Sequence, residues 1–506
     1  MSDASRSIAL SLVSHTNVGK TTLARTLLGH DIGEVRDAAH VTELAEAHTM
    51  METAEGDALL LWDTPGFGDS ARLAKRLAQS GNPIGWFLSE VWDRWRDRPF
   101  WSSQQAVKNV RGEADVVLYL VSAAEDPRDA GYVAPEMKIL EWIGKPVIVL
   151  LNQVGEPRPR AEEQAEEERW RDHVGRHRFV REVLTLDAFA RAWVQELELL
   201  RAVERALPAA KRPALARLAA AWQAKRMHEF EASMDALAEE LARAAFDREP
   251  VGESGVKAAL REVGNALGLG REGETSAKDR AMQRLAERLD TEIRIATDRL
   301  IAANGLAGRA AAEVLQRLAG DYAVSERVSE GKAAALGGLV SGALSGLAAD
   351  LAAGGLTLGA GMLAGGLLGA LGGAGLARGY NLVRGARETT VCWSDEFLDG
   401  LFASALLRYL AVAHYGRGRG EWQAAEHPAF WREEVARVVA PRRDALAAIW
   451  AERGGDCDAA RLAAALRNEL AAAALDVLER LYPGALGVRD QDSGFGIRDS
   501  GIGIQA

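Results

Sequence analysis

The sequence predicts an α/β N-terminal half built on a doubly wound, mostly parallel sheet, joined to an all-α C-terminal half. Three observations predict it. Over residues 1–190, short runs rich in Ile, Leu and Val alternate with helical patterns, as a parallel sheet covered on both faces requires. Beyond about residue 188 the strand signals stop, and Ala, Leu, Arg and Glu recur at helical spacing as far as Leu481. A chain of 506 residues also exceeds what one hydrophobic core serves, so two or more domains are expected.

Taken in order, Ser7 to Ser14 (SIALSLVS) reads as the first buried strand and Thr21 to Leu28 as the start of the first helix. Asp57 to Asp63 (DALLLWD), Ala114 to Ser122 (ADVVLYLVS), Lys145 to Asn152 (KPVIVLLN) and Arg181 to Asp187 (REVLTLD) are the next four strands, with a helix at Glu136 to Ile143. Arg158 to Arg171 (RPRAEEQAEEERWR) reads as a solvated helix face. Residues 191–482 form the all-α domain, with helical patterns at Ala214 to Ala245 and Ala459 to Leu481. Residues 483–506, rich in Gly, Ser and Asp, form a disordered tail.

The composition is that of a folded soluble protein, 48% hydrophobic and 26% charged. A net charge of -11 points away from a nucleic-acid partner, and none is expected. Cys392 and Cys457 stand far apart, which excludes a disulfide framework or a Cys-based zinc site and fits a reducing compartment. The N-terminus lacks the pattern of a signal peptide, so a cytoplasmic location is expected.

Between the first strand and the first helix lies SHTNVGKTT, residues 14 to 22. Gly19-Lys20-Thr21 is how the phosphate-binding loop G-x-x-x-x-G-K-[ST] ends, and this loop must follow a strand and open a helix. It works by backbone geometry: successive N–H groups curl around phosphate oxygens at the positive end of a helix. Asn17, Val18, Gly19, Lys20 and Thr21, with Thr22 beside them, are the candidate phosphate-binding residues. Lys20 supplies charge, and the Thr21 hydroxyl supplies a ligand for Mg2+. Ser14 stands where the first glycine is expected, and serine enters that turn with some strain. About forty residues on, Leu59 to Gly66 reads LLLWDTPG. Asp63 would hold magnesium through water and the Gly66 N–H would contact a γ-phosphate. A strand-end turn alone would also explain the proline and glycine, but both elements occur in the order and spacing of one site.

NVGKTTL followed by DTPG resembles the TrmE–Era–EngA-like branch of the translation-factor-type P-loop GTPases. The layout is similar to bacterial proteins in which an Era-like GTPase domain precedes a long helical domain of unknown function. The resemblance carries specific motifs over roughly residues 7–190 and rests on layout beyond. It implies a P-loop NTPase fold, GTP and GDP as ligands and Mg2+ as cofactor. Thr42, in AAHVTEL, matches the switch I threonine that closes onto magnesium, although Val41 stands where the family often has a second threonine. Asn17 matches an asparagine that helps bind K+ in some members. Phe67 stands where Ras-type GTPases carry a water-orienting glutamine; this branch also has a hydrophobic residue there, which implies slow hydrolysis. The family's guanine-reading N-K-x-D is Asn152-Gln153-Val154-Gly155 here, so Asn152 matches and the aspartate is absent. The implied site has Lys20, Thr42 and Gly66 acting on the triphosphate, Thr21, Thr42 and Asp63 organising magnesium, and Asn152 at the base.

Two segments raise further questions. Residues 85–101 (GWFLSEVWDRWRDRPFW) interleave Trp86, Trp92, Trp95 and Trp101 with Arg94, Arg96 and Arg98. Three readings stay open: internal packing, a homodimer or protein-partner contact, and an arginine that reaches the phosphates. From Ala333 to Ala377 the single charged residue is Asp350, and Gly338, Gly342 and Gly346, like Gly361, Gly365, Gly369 and Gly373, are spaced by four. On helices these form smooth stripes, giving a Gly-rich apolar hairpin that either meets the inner membrane or packs inside the helical domain.

The expected activity is Mg-dependent GTP binding with slow hydrolysis, in a switch whose residues 35–50 and 64–80 order or release with nucleotide state. Two alternatives stay open: a dynamin-like membrane-remodelling or tethering GTPase, and a scaffold that binds nucleotide without turnover.

Overall fold

The computed structural model describes residues 6–29, 46–79, 98–154, 158–188, 192–251, 277–306, 380–384, 389–414, 429–454 and 457–486. Thr42, most of the Trp/Arg-rich segment, the glycine-rich stretch 333–377 and the tail from residue 487 lie outside them. The chain divides into two compact units. One comprises Met1–Met227, Ala413–Gln423 and Leu478–Ala506, the other His228–Val412 and Ala424–Val477.

The first unit holds a six-stranded sheet in the order β2-β3-β1-β4-β5-β6. Its strands are β1 (Ser7–Ser14), β2 (Glu46–Glu52), β3 (Ala58–Asp63), β4 (Val116–Ser122), β5 (Val147–Asn152) and β6 (Val180–Thr185). All neighbours are parallel except β2, which runs antiparallel to β3 at the edge. β4 and β5 are buried along their whole length, and β1 from Ile8 onward, which is why they read as unbroken apolar runs. β2 (EAHTMME) carries no such run, so this edge strand is a difference from the five strands expected. The helices of this unit are α1 (Lys20–Leu28), α2 (Ser70–Gln79), α3 (Arg98–Gly112), α4 (Val133–Ile143), α5 (Arg160–Val174) and α6 (Trp193–Ala206). A core containing Val13, Phe67, Phe100, Tyr119, Met137 and Trp170 joins the sheet to α3, α4 and α5. Strand order turns around at β1, which has β3 on one side and β4 on the other. That switch point opens a crevice at the carboxyl ends of the strands, where α/β sheets bind ligands.

The second unit draws on α7 (Arg212–Phe246), α8 (Ala277–Ala303), α9 (Asp395–Ala413), α10 (Ala429–Val439), α11 (Arg443–Ala451) and α12 (Ala459–Leu481). It also holds a small antiparallel sheet in the order β7-β9-β8, formed by β7 (Arg248–Pro250), β8 (Tyr380–Arg384) and β9 (Thr389–Trp393). The helical half is thus helical in bulk, with a short ribbon whose strands, of three to five residues, are too brief to give a periodic signal. No described helix is long and apolar enough to cross a membrane.

The charged run at Arg158 to Arg171 differs from its expected solvated face. On α5, Glu163, Glu166 and Glu167 are buried together with Trp170 and Val174. Arg160 lies 3.1 Å from Glu167 and 3.5 Å from Glu163. Burial pushes the Glu163 carboxyl from 4.5 up to about 7, against the pull of Arg160. Because the folded value lies above the unfolded one, the protein binds this proton more tightly when folded. Its contribution to stability is complete below pH 4.5 and disappears as pH rises through 7. The full span corresponds to at most about 3 kcal/mol. Glu163→Gln, which stays neutral, is therefore expected to match wild type near pH 5 and to unfold at a higher temperature at pH 8. Parallel melting curves across that range check it.

Candidate phosphate-binding site

The backbone between β1 and α1 turns through two left-handed positions, Asn17 at φ 66° and Gly19 at φ 83°. Asparagine and glycine tolerate that region best. Ser14 is not among the positive-φ residues; it is the last residue of β1 and is buried. The strain expected of a serine in place of the first glycine is absent, because the left-handed turns fall three and five residues later. Ser14 Oγ donates to the His15 carbonyl at 2.7 Å, and the Ser14 carbonyl accepts the Phe67 N–H at 2.9 Å.

Lys20 and Thr21, at the first turn of α1, converge on Asp63 at the end of β3. Lys20 Nζ lies 2.5 Å from Asp63 Oδ1, and Thr21 Oγ1 donates to Asp63 Oδ2 at 2.6 Å. Lys20 is 7% exposed and Asp63 3%, so the ion pair is largely desolvated, while Thr21 is half-buried beside it. Parallel pairing of β1 with β3 brings Leu12 opposite Asp63, which is why residues 42 apart meet here. A hydroxyl beside a carboxylate is a hard oxygen donor set that suits Mg2+ completed by phosphate and water. Thr22 is buried in the same turn. Among the described residues no cluster of three His, Cys, Asp or Glu could hold a metal unaided.

The DTPG segment runs beneath the loop. Thr64 is buried and donates to the Leu12 carbonyl at 2.5 Å. Gly66 leaves little room: a Cβ there would stand 3.4 Å from Thr16 Cα. Phe67 has no exposed surface and packs in the core instead of facing the crevice. An isolated parallel bridge joins its backbone to His15.

Asn152 brackets the loop from the other side. Its Nδ2 donates to the Val18 carbonyl at 2.7 Å and its Oδ1 accepts the Ala188 N–H at 2.8 Å. The Thr26 hydroxyl donates to the Ala188 carbonyl at 2.8 Å, so the 186–188 turn is tied to α1 as well. Gly19 completes the fit, because a Cβ there would come within 2.7 Å of Asn152 Nδ2. Gln153, at φ 57°, donates to the Asn17 carbonyl at 3.2 Å. Asp187 Oδ2 accepts the Val154 N–H at 2.6 Å. The structure thus brings Asn17, Val18, Gly19, Lys20, Thr21, Thr22, Asp63, Gly66 and Asn152 to one crevice. Thr42 lies outside the described residues.

Sequence reasoning missed His15 and Glu136. His15 Nδ1 lies 2.9 Å from Glu136 Oε1 on α4, and the His15 ring stacks on Tyr132 with centroids 4.4 Å apart. Tyr119 Oη donates to Glu136 Oε2 at 2.7 Å. Burial raises the Glu136 carboxyl above its ordinary range, against the hydrogen bonds from His15 and Tyr119. No motif announces this pair, since 121 positions separate its members.

Residues 9–153 match the family described as "50S ribosome-binding GTPase", and residues 175–454 match the "Domain of unknown function (DUF3482)". No curated protein matches the chain. Similar solved structures include Era in complex with MgGDPNP and nucleotides 1506–1542 of 16S ribosomal RNA, at 20% identity and TM-score 0.29, covering 40% of this chain and 57% of that one. A second is an Aquifex aeolicus Era variant bound to GDP.AlF4-, at 18% identity and TM-score 0.30, covering 57% of this chain and 89% of that one. The expectation that nucleic acid is no partner is corrected here, because the first of these proteins holds ribosomal RNA. The net charge of -11 is a sum over 506 residues and does not fix the charge of any one face.

Proposed function

The chain belongs to the family defined by the DUF3482 domain, carried behind a GTPase domain, and on that premise we propose that it is a nucleotide-controlled switch that binds Mg·GTP and hydrolyses it slowly. The convergence of Lys20 and Thr21 on Asp63, under a loop that Asn152 brackets, is the observation that carries this reading. Lys20 and the N–H groups of Asn17 to Thr22 would hold the phosphates. Thr21 and Asp63, with Thr42, would hold Mg2+, which offsets charge developing on the phosphoryl oxygens. Gly66 would report the γ-phosphate. Phe67 sits in the core and carries no group able to orient water, which supports slow turnover.

Asn152 spends both ends of its amide on protein, so its role is to hold the loop, and the base is read without the family's aspartate. Guanine discrimination is accordingly expected to be shallower than an N-K-x-D site gives, since each missing partner for a buried N–H removes roughly 1–3 kcal/mol. Titration of the full-length protein with GTP and ATP, each with and without Mg2+, tests the proposal. Tighter binding of GTP, dependent on magnesium, supports it. Equal affinity for ATP overturns the guanine assignment, and no binding of either overturns the whole reading. Binding with no phosphate release would leave a scaffold in place of a switch. Rates compared in sodium and potassium test the role of Asn17 in holding K+.

A further inference from the structure

We propose that Ser103 is a positioning residue for the γ-phosphate: its hydroxyl, on α3, pins the backbone just behind Gly66, so that the site's preference for triphosphate over diphosphate depends on it. The inference rests on the reading of the site as a nucleotide switch. Ser103 has no exposed surface. Its Oγ accepts the Gly68 N–H at 2.9 Å and the Asp69 N–H at 3.3 Å, one for each lone pair of the hydroxyl. Phe67, just before them, gives its N–H to the Ser14 carbonyl at 2.9 Å, and its ring is buried in one core with Phe100 of α3. Three consecutive N–H groups are therefore committed, that of Phe67 to the end of β1 and those of Gly68 and Asp69 to α3. Asp69 in turn caps α2: its Oδ1 accepts the Arg72 N–H at 3.1 Å and its carbonyl accepts the Leu73 N–H at 3.1 Å. The Arg72 guanidinium lies 4.2 Å over the Phe100 ring, a second contact between α2 and α3.

Gly66, the candidate γ-phosphate sensor, stands one residue ahead of this fixed run. Its own backbone already lies against the phosphate loop: a Cβ there would come within 3.4 Å of Thr16 Cα and 3.5 Å of the Ser14 and His15 carbonyl oxygens. The pin at Ser103 keeps the Gly66 peptide in that place, and a donor fixed in advance gives up no freedom when a phosphate oxygen reaches it. Satisfying two backbone donors does not by itself call for the hydroxyl. Gly68 and Asp69 are half-buried, so water can meet their N–H groups in place of Ser103. Water would satisfy the donors without fixing them, and the turn from Gly66 to Asp69 would then be free to drift. A diphosphate offers Gly66 no γ oxygen, so its binding does not draw on the pin.

The test measures the affinities of the full-length protein for GDP and for a non-hydrolysable GTP analogue, both with Mg2+, in wild type, Ser103→Ala and Ser103→Cys. Ser103→Ala is expected to lower the analogue-to-GDP affinity ratio by about tenfold, the effect of one lost hydrogen bond to a charged group, with GDP affinity itself within about threefold of wild type. Its melting temperature should change little, because alanine is the better helix former and water replaces the hydroxyl. Ser103→Cys keeps the size of the side chain but accepts hydrogen bonds poorly, and should lower the ratio in the same direction. Equal weakening of both nucleotides, accompanied by a lower melting temperature, would show a merely structural role and overturn the proposal. A ratio unmoved by either variant would overturn it as well, and a ratio that rises would mean that the hydroxyl holds Gly66 away from the γ-phosphate. Ser103→Cys alone decides if the alanine variant does not fold. Failure of the underlying switch reading is distinguishable, because wild type would then bind neither nucleotide.

Discussion

Lys20→Ala is expected to weaken binding of Mg·GTP by at least about 100-fold, roughly 2.7 kcal/mol, in a titration of the full-length protein. The Lys20 side chain is 7% exposed, so its pull on a phosphate is little screened by water or salt. A second effect adds to the first. The substitution leaves the buried Asp63 carboxylate facing the Thr21 hydroxyl without its cation. Truncating one partner of a buried pair destabilises by roughly 3–5 kcal/mol, so the nucleotide-free variant should also melt at a lower temperature. The two effects separate in one experiment. Wild type gains melting temperature on addition of Mg·GTP, by mass action, and Lys20→Ala does not. The double variant Lys20→Met/Asp63→Asn removes the stranded charge, and is expected to regain stability without regaining binding. A Lys20→Ala protein that binds Mg·GTP like wild type would remove the site from this crevice.

The parts of the site that were legible are those where burial edits the sequence. β1, β4 and β5 are buried along nearly their whole length and β3 alternates buried with half-buried residues, so no charged residue stands in any of them before its last position. Asp63 and Asn152 then stand out as polar residues closing apolar runs. The illegible parts depend on partners distant in sequence. β2 is an edge strand and carries glutamate, histidine and threonine, so no apolar run marks it. Glu163, Glu166 and Glu167 look solvated because charge in a helix usually is; only tertiary packing buries them. The strain assigned to Ser14 was misplaced because a motif gives letters, not dihedral angles, and the left-handed turns fall on Asn17 and Gly19. The bond between His15 and Glu136 spans 121 positions, and nothing at either end signals the other.

Breaking the ion pair between Arg408 and Glu240 is expected to destabilise the helical unit by roughly 3–5 kcal/mol. Arg408 on α9 donates to Glu240 on α7 at 2.6 Å and to the Thr297 hydroxyl on α8 at 3.0 Å, and neither charged side chain has any exposed surface. Three helices are thereby held in register by one guanidinium. Burial pushes the Glu240 carboxyl up, and Arg408 is what pulls it back. In Arg408→Met that pull is gone, so folding favours the protonated acid. The folded value then lies further above the unfolded one, and stability is lost as pH rises from the ordinary carboxylate range. The deficit of Arg408→Met against wild type should therefore be larger at pH 8 than at pH 5. Thr297 keeps its own bond to the Ile293 carbonyl at 2.6 Å, so the threonine is not stranded. In Arg408→Met/Glu240→Leu no charge remains to desolvate, and replacing both members of a buried pair with apolar residues is often neutral or stabilising. Thermal melts of the full-length proteins at both pH values are the check: loss in the single variant with recovery in the double identifies the pair as a device for helix register. Equal losses in both would place the stabilisation in the pair itself, and a single variant that melts like wild type at pH 8 would contradict the buried charge altogether.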